Sequence, residues 1–206
     1  MPLRLVLVLM ILLGLPIGAP HATVVDEDNQ LLDRIESYFN DIDTLRANFE
    51  QYGPQGERTT GVFMLNRPGL MRIDYDLPSK ILMIAEAGRL VYYDGSIKQV
   101  TYIPLSRTPL SFVLDDDVDL RDEVEVTAIE RVGAEVGITL IQRDEADQGQ
   151  VTLVFSQEPL ELRRWAITDA QGMVTLVDLD EIFLGEDLER SLFHWREPNF
   201  FGYPED

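Results

Sequence analysis

The sequence predicts a mainly β protein with a smaller helical part: about eleven antiparallel strands in one meander, a helix before them and a helical insertion in mid-chain. Three observations predict it. From Leu45 onward, polarity alternates with a period of two over most of the chain, the mark of half-buried strands. The breaks between alternating runs are short and rich in Gly, Pro, Asp and Ser, so neighbours join as antiparallel hairpins; parallel strands need long crossovers, for which there is no room. Before Leu45 the apolar spacing is helical. A sheet this long curls or closes. Its concave face is apolar and needs filling or covering.

In chain order, Asp26-Glu27-Asp28-Asn29 reads as the cap and acidic first turn of the helix. Leu31, Leu32, Ile35, Tyr38, Phe39 and Ile42 then form one apolar stripe, for which the following sheet is the partner. In the first strand Leu45, Ala47, Phe49 and Gln51 alternate with Arg46, Asn48, Glu50 and Tyr52, and Gly53-Pro54-Gln55-Gly56 turns the chain. Gly61, Phe63, Leu65 and Arg67 share one face of the next strand. After Pro68-Gly69, Met71, Ile73 and Tyr75 share one face of the third, with Arg72, Asp74 and Asp76 opposite. Further strands are expected at 80–86, 89–94, 97–103, 123–130, 135–142, 150–156, 160–168 and 173–181.

Residues 104–120 break this rhythm. Leu105, Leu110, Phe112, Val113 and Leu114 are apolar, Pro104 and Pro109 punctuate them, and Thr108-Pro109 reads as an N-cap and first helical position. The segment is expected as a short helix or helices carried above the sheet. Near the end, 185–191 reads as a helical turn, 193–195 as a short strand and 198–206 as a tail. No repeat or flexible linker divides the chain, so 23–206 reads as one domain with room for a sizeable core. Residues 1–22 have the layout of a secretory signal peptide: Arg4, the apolar run 5–13, then Gly18-Ala19-Pro20-His21-Ala22 before the expected cut. That apolar run is shorter than the ~20 residues a membrane-spanning helix needs.

Composition excludes several function classes. The chain has 37 acidic and 17 basic residues, net −20, and no basic cluster that would serve a nucleic acid. This acidity favours solubility and works against adhesion to anionic lipid surfaces. With no cysteine there are no disulfides, thiol catalysis or thiolate metal sites. His194 is the sole histidine once the leader is gone, too few for a His-based metal site or a catalytic triad. Asp115-Asp116-Asp117 with Asp119 lacks the alternating ligand spacing of a calcium loop and reads as a solvated segment. No metal, cofactor or catalytic residue is expected.

Two features point towards a site. Arg67 ends an otherwise apolar row, where a cation needs an acceptor or a cavity mouth; the alternative is a surface cation whose stem covers its neighbours. Phe49, Phe63, Met64, Met71, Tyr75, Met83, Tyr92, Tyr93 and Tyr102 suit either the lining of a ligand cavity or ordinary packing under the helix. Periodicity alone leaves both open.

A set of short motifs, in order, resembles the LolA-type periplasmic carriers of outer-membrane lipoproteins, from about residue 31 to 114 and more weakly to 193. They are Phe49-x-Gln51, then Gly61-x-Phe63-x-Leu65-x-Arg67-Pro68 with Arg72-x-x-Tyr75. Gly88-Arg89-Leu90-Val91-Tyr92-Tyr93-Asp94 and Gln99-Val100-x-x-x-Pro104-Leu105-x-x-Thr108-Pro109 follow. The chain departs from enteric members in carrying Met71 for an aromatic residue, Ala87 for Asp and Tyr92 for Trp. The resemblance implies an open, unclosed β-barrel with helices as a lid over a hydrophobic cavity. The implied acyl-binding cavity takes in Phe39, Phe49, Phe63, Leu65, Met71, Ile73, Tyr75, Met83, Tyr92, Leu110 and Phe112. The implied lid comprises Pro104, Leu105, Pro109, Leu110, Phe112 and Val113, with Arg67 as its latch through lid backbone. It also implies a periplasmic monomer that takes acylated lipoproteins from an inner-membrane lipoprotein-releasing ABC transporter and passes them to an outer-membrane acceptor. Two other functions suit the same fold: a periplasmic shuttle for another lipid, such as a glycolipid or hopanoid, and a module that senses a lipid or protein partner.

Overall fold

The computed structural model describes residues 21–122, 124–143 and 149–196. The expected leader, apart from its last two residues, the turn at 144–148 and the tail at 198–206 lie outside the described residues. Helix α1 (His21–Asn40) is followed by β1 (Thr44–Tyr52), β2 (Arg58–Asn66), β3 (Leu70–Tyr75), β4 (Ile81–Glu86), β5 (Arg89–Asp94) and β6 (Gln99–Pro104). Two 3-10 turns, Leu105–Arg107 and Ser111–Leu114, lead to β7 (Val124–Val132), β8 (Glu135–Gln142), β9 (Gly149–Gln157), β10 (Leu160–Asp169) and β11 (Val174–Leu184).

The eleven strands form one antiparallel sheet, but not one meander. The order is β6-β5-β4-β3-β2-β1-β11-β10-β9-β8-β7, two meanders joined where β1 pairs with β11. The expected single meander fails because residues 105–123 are long enough to carry the chain from one edge of the sheet to the other. The sheet does not close, and β6 and β7 remain as its free edges. Register shifts between Arg46 and Asn48, Val126 and Ala128, and Leu162 and Arg164 locally bend and twist it.

The apolar stripe of α1 packs into the concave side. Ile35 and Phe39 are almost wholly buried, and Phe39, Tyr38 and Phe155 meet edge to face at centroid distances of 5.4–5.9 Å. Polar contacts fix the helix: Leu162 N–H donates to the Tyr38 hydroxyl (3.2 Å), and Arg34 donates to the Gln157 carbonyl (3.0 Å). Arg121 bridges Asp33 (2.6 Å) and Glu36 (2.8 Å). The helix begins at His21, so Asp26 to Asn29 lie inside it and do not cap it. Asp28 instead pairs with Arg131 of β7 at 2.7 Å.

The insertion holds no α-helix among the described residues. Thr108 closes the first 3-10 turn, its hydroxyl donating to Leu105 O at 2.7 Å, and Leu110 precedes the second. Thr108-Pro109 is therefore a link between two turns, not a helix start. Pro104 and Pro109 leave room for only the first of these turns between them, the length at which 3-10 geometry is used; the second follows Pro109 and ends at the extended Asp115.

The C-terminal segment also differs from expectation. No strand forms at 193–195; the helical turn is a 3-10 turn at Arg190–Phe193. After β11 the chain crosses the outer face of the sheet as a strap. Glu186 meets Thr44 and Arg46, Leu188 O accepts from Asn66 (3.3 Å), and Leu192 O accepts from Arg72 (2.8 Å). Glu86 receives His194 and Trp195 N–H, and the Trp195 ring lies 5.3 Å from that of Tyr93. Phe193 is fully buried there, and outward-facing Leu70, Ile84 and Val91 are buried on the same side. An apolar residue that covers the outside of a sheet looks, in sequence, like the end of one more strand.

Candidate functional site

Alternation along β1, β2 and β3 sends Phe49, Phe63, Leu65, Met71, Ile73 and Tyr75 to the concave side, as the sequence predicts. Together with Phe39, Met83 and Leu110 they line a cavity of about 400 Å³ beneath the insertion. Leu105, Pro109 and Val113 close it from above. Pro104 ends edge strand β6 and is exposed, outside the lining. Phe112 is buried in the core and, unlike Leu110 and Val113, is not part of the lining. Tyr92 stands opposite Met83 across the β4–β5 pair, on the concave face beyond the lining.

Sequence reasoning missed the second wall of the cavity. Leu162, Trp165 and Ile167 of β10 and Thr175 and Val177 of β11 complete it, with Trp165 edge-on to Phe63 at 5.3 Å. The period-two spacing of Trp165 with Ile167 and of Thr175 with Val177 was visible in the sequence, while the register shift after Leu162 was not. Nor was the pairing of β11 with β1, which brings them opposite β2 and β3.

Gly61 lets the wall close in. A Cβ there would sit 2.0 Å from Asp74 O and 2.7 Å from the Phe49 ring, so only glycine fits. Across this gap the rings of Phe49 and Tyr75 meet at 5.1 Å. The Tyr75 hydroxyl then reaches Gln51 Oε1, to which it donates at 2.8 Å. Burial, with a smaller push from Tyr92, raises the Tyr75 phenol to about 12, so it stays a neutral donor.

Arg67 lies at the end of its apolar row, against the insertion. Its guanidinium donates to Phe39 O at the C-terminal end of α1 and to Asp115 O, with longer contacts to Asn40 Oδ1 (3.3 Å) and Asp116 O (3.4 Å). A helix C-terminus has unpaired carbonyls and a negative dipole end, which suits a cation. Burial draws the Arg67 pKa down, while Asp115, Asp116, Asp117 and Asp43 pull it back up. Asn40, which no sequence feature singled out, holds the same segment. Its side chain accepts from Val118 N–H (2.8 Å) and donates to Val118 O (3.2 Å) and Asp117 (3.1 Å). Gly69 N–H to Leu114 O (2.8 Å) adds a further tie.

Among the described residues, no group of three or more His, Asp or Glu is placed to hold a metal ion, and no helix is long and apolar enough to cross a membrane. The arrangement is a lidded apolar cavity, suited to sequestering hydrocarbon.

The family model described as outer membrane lipoprotein carrier protein LolA matches residues 40–196. An outer-membrane lipoprotein carrier protein of Halorhodospira halophila is 28% identical over 81% of this chain and 82% of its own. One of Methylococcus capsulatus is 28% identical over 80% of this chain and 83% of its own. A solved LolA superfamily protein from Nitrosomonas europaea is 12% identical, with a TM-score of 0.46 over 80% of this chain and 97% of that one. The match to the family model spans most of the chain, and the chain belongs to the LolA family of outer-membrane lipoprotein carrier proteins.

Proposed function

We propose that this protein is a periplasmic carrier that buries the acyl chains of lipoproteins in its cavity and moves them from an inner-membrane lipoprotein-releasing ABC transporter to the outer membrane. The observation that carries this reading is the apolar cavity covered by a segment tied down at Arg67. Each acyl methylene withdrawn from water contributes about 0.8 kcal/mol, so three long chains amount to tens of kcal/mol that no free lipoprotein can lose in crossing water. The names of the related carriers and the leader expected at residues 1–22 support the same route.

The closed cavity, about 400 Å³, lies in the lower part of the ~300–1,000 Å³ range of small-ligand sites. Three long chains exceed it, so loading requires the lid to move. Tying the lid shut in the empty state lowers the net affinity for lipid by the cost of opening. That lets a strongly apolar site give up its cargo to an outer-membrane acceptor without ATP. The net charge of −20 keeps the carrier off anionic bilayer surfaces between the two encounters.

The test is release of a lipoprotein from inner-membrane vesicles that contain the transporter. The expected product is a soluble complex whose mass corresponds to carrier plus acylated lipoprotein. A complex holding only free glycolipid or hopanoid would replace the cargo and keep the fold. No lipid of any kind would remove the carrier reading.

A further inference from the structure

The cavity is not uniformly apolar. Its polar side chains, apart from the Trp165 indole, are Gln51, Tyr75, Thr108 and Thr175. Thr108 uses its hydroxyl proton on Leu105 O. Gln51, Tyr75 and Thr175 cluster by register. Gln51 pairs with Val177 across β1 and β11, Thr175 lies two residues along β11, and the Tyr75 hydroxyl reaches Gln51 over Gly61. This cluster lies at the end of the cavity away from the C-terminal end of α1. Gln51 is six residues along β1 from Leu45, roughly 20 Å of strand. Near Leu45 the lining consists of Phe39, Ile42, Leu65 and Met71.

An acyl chain with one end in that apolar pole leaves its carbonyl end beside the polar cluster. We propose that Gln51 and Tyr75 form a polar subsite that takes an ester or amide carbonyl linking the acyl chains to the head of the bound lipid. This deepens the carrier reading and rests on it. The Tyr75 hydroxyl is spent on Gln51 Oε1, and the Gln51 NH2 group has no hydrogen-bond partner among the described residues. Were the amide turned the other way, the Tyr75 O–H would be released instead. Either orientation leaves at least one donor for a carbonyl oxygen. An ether oxygen is a weaker acceptor with no carbonyl to present. The raised Tyr75 pKa keeps the phenol protonated across the ordinary pH range.

The experiment compares dilauroylglycerol with its didodecyl ether, each delivered from cyclodextrin to the purified protein. Binding is read from Trp165 fluorescence in the Trp195→Phe background and from lipid co-eluting with the protein. The wild type is expected to bind the ester roughly five- to tenfold more tightly, the scale of a carbonyl hydrogen bond inside an apolar site. The double variant Gln51→Leu/Tyr75→Phe, which removes both donors, is expected to abolish the preference, and Gln51→Leu alone to reduce it. Tyr75→Phe, which keeps the ring against Phe49, is expected to reduce it. Equal wild-type affinity for ester and ether, or an unchanged preference in the double variant, overturns the subsite and leaves the carrier reading intact. If neither lipid binds, the carrier reading fails and the subsite with it.

Discussion

The two arms of the sheet use the same alternation to opposite ends. On β8 and β9 the concave residues Val136, Ile138, Leu140, Val151, Leu153 and Phe155 are at most 2% exposed. On β3, β4 and β5 the concave residues Met71, Ile73, Tyr75, Met83 and Leu90 are only partly buried and line the cavity. The difference lies in what covers them. Helix α1 is docked over β9 and β10 through Phe39–Phe155, Tyr38–Leu162 and Arg34–Gln157, whereas β3 to β5 face mainly the 3-10 turns of the insertion. One arm is a filled core that holds the shape; the other is a surface kept unfilled.

The sharpest way to break this comparison is truncation on each side. Phe155→Ala is expected to cost about 3–5 kcal/mol in urea denaturation, the loss from a packed ring position. Met71→Ala should cost about 1 kcal/mol or less in the empty protein yet weaken lipid binding. Equal costs at the two positions would mean that both arms are packed alike. Next is Arg67→Leu, which strips acceptors on α1 and the lid of their donor; a loss of about 1–2 kcal/mol is expected. The same variant should still bind lipoprotein but transfer it poorly in a two-membrane assay, and normal transfer would sink the latch. Asn40→Ala frees Val118 and the exposed contacts to Asp117 and Arg67 but keeps the Arg67 ties to Phe39 and Asp115, so about 1 kcal/mol and a milder transfer defect are expected.

The smallest effect is at the sheet's outer face. Arg58 and Tyr52 hold the Glu50 carboxyl at about 2, down from the usual value near 4.5. Because the folded pKa is depressed, the contribution is full above about 4.5 and is lost as pH falls towards 2. The group is exposed, so Arg58→Ala should lower the neutral-pH urea midpoint only slightly, and that small difference from the wild type should vanish as pH falls towards 2.

What the sequence made legible follows from how local each signal is. Hairpins, the strand count and the faces of Phe63, Leu65, Met71 and Ile73 depend on neighbours a few residues apart, and period two reports them directly. The pairing of Phe49 with Leu179 joins neighbours in the sheet that lie far apart along the chain and leaves no local mark, so the wall built from Trp165 and Val177 stayed hidden. The cation at Arg67 stood out because charge on an apolar row is rare. Asn40 did not, because an asparagine ending a helix is ordinary. Thr108-Pro109 carried a helix-start signature, yet Thr108 closes the first 3-10 turn and the second begins only after Leu110 and ends at Asp115.

The pairing of β1 with β11 puts the start and end of the sheet side by side at its centre, with mid-chain residues spanning its two free edges. A protease cut between Asp115 and Asp117 would therefore separate no hydrogen-bonded strands. The fragments would remain clasped by the β1–β11 ladder, by α1 of the first lying on β10 of the second, and by the C-terminal strap of the second reaching back over the first. Limited proteolysis there should yield a nicked protein that still melts as one unit. The lid can loosen, or even be severed, without the frame beneath it coming apart.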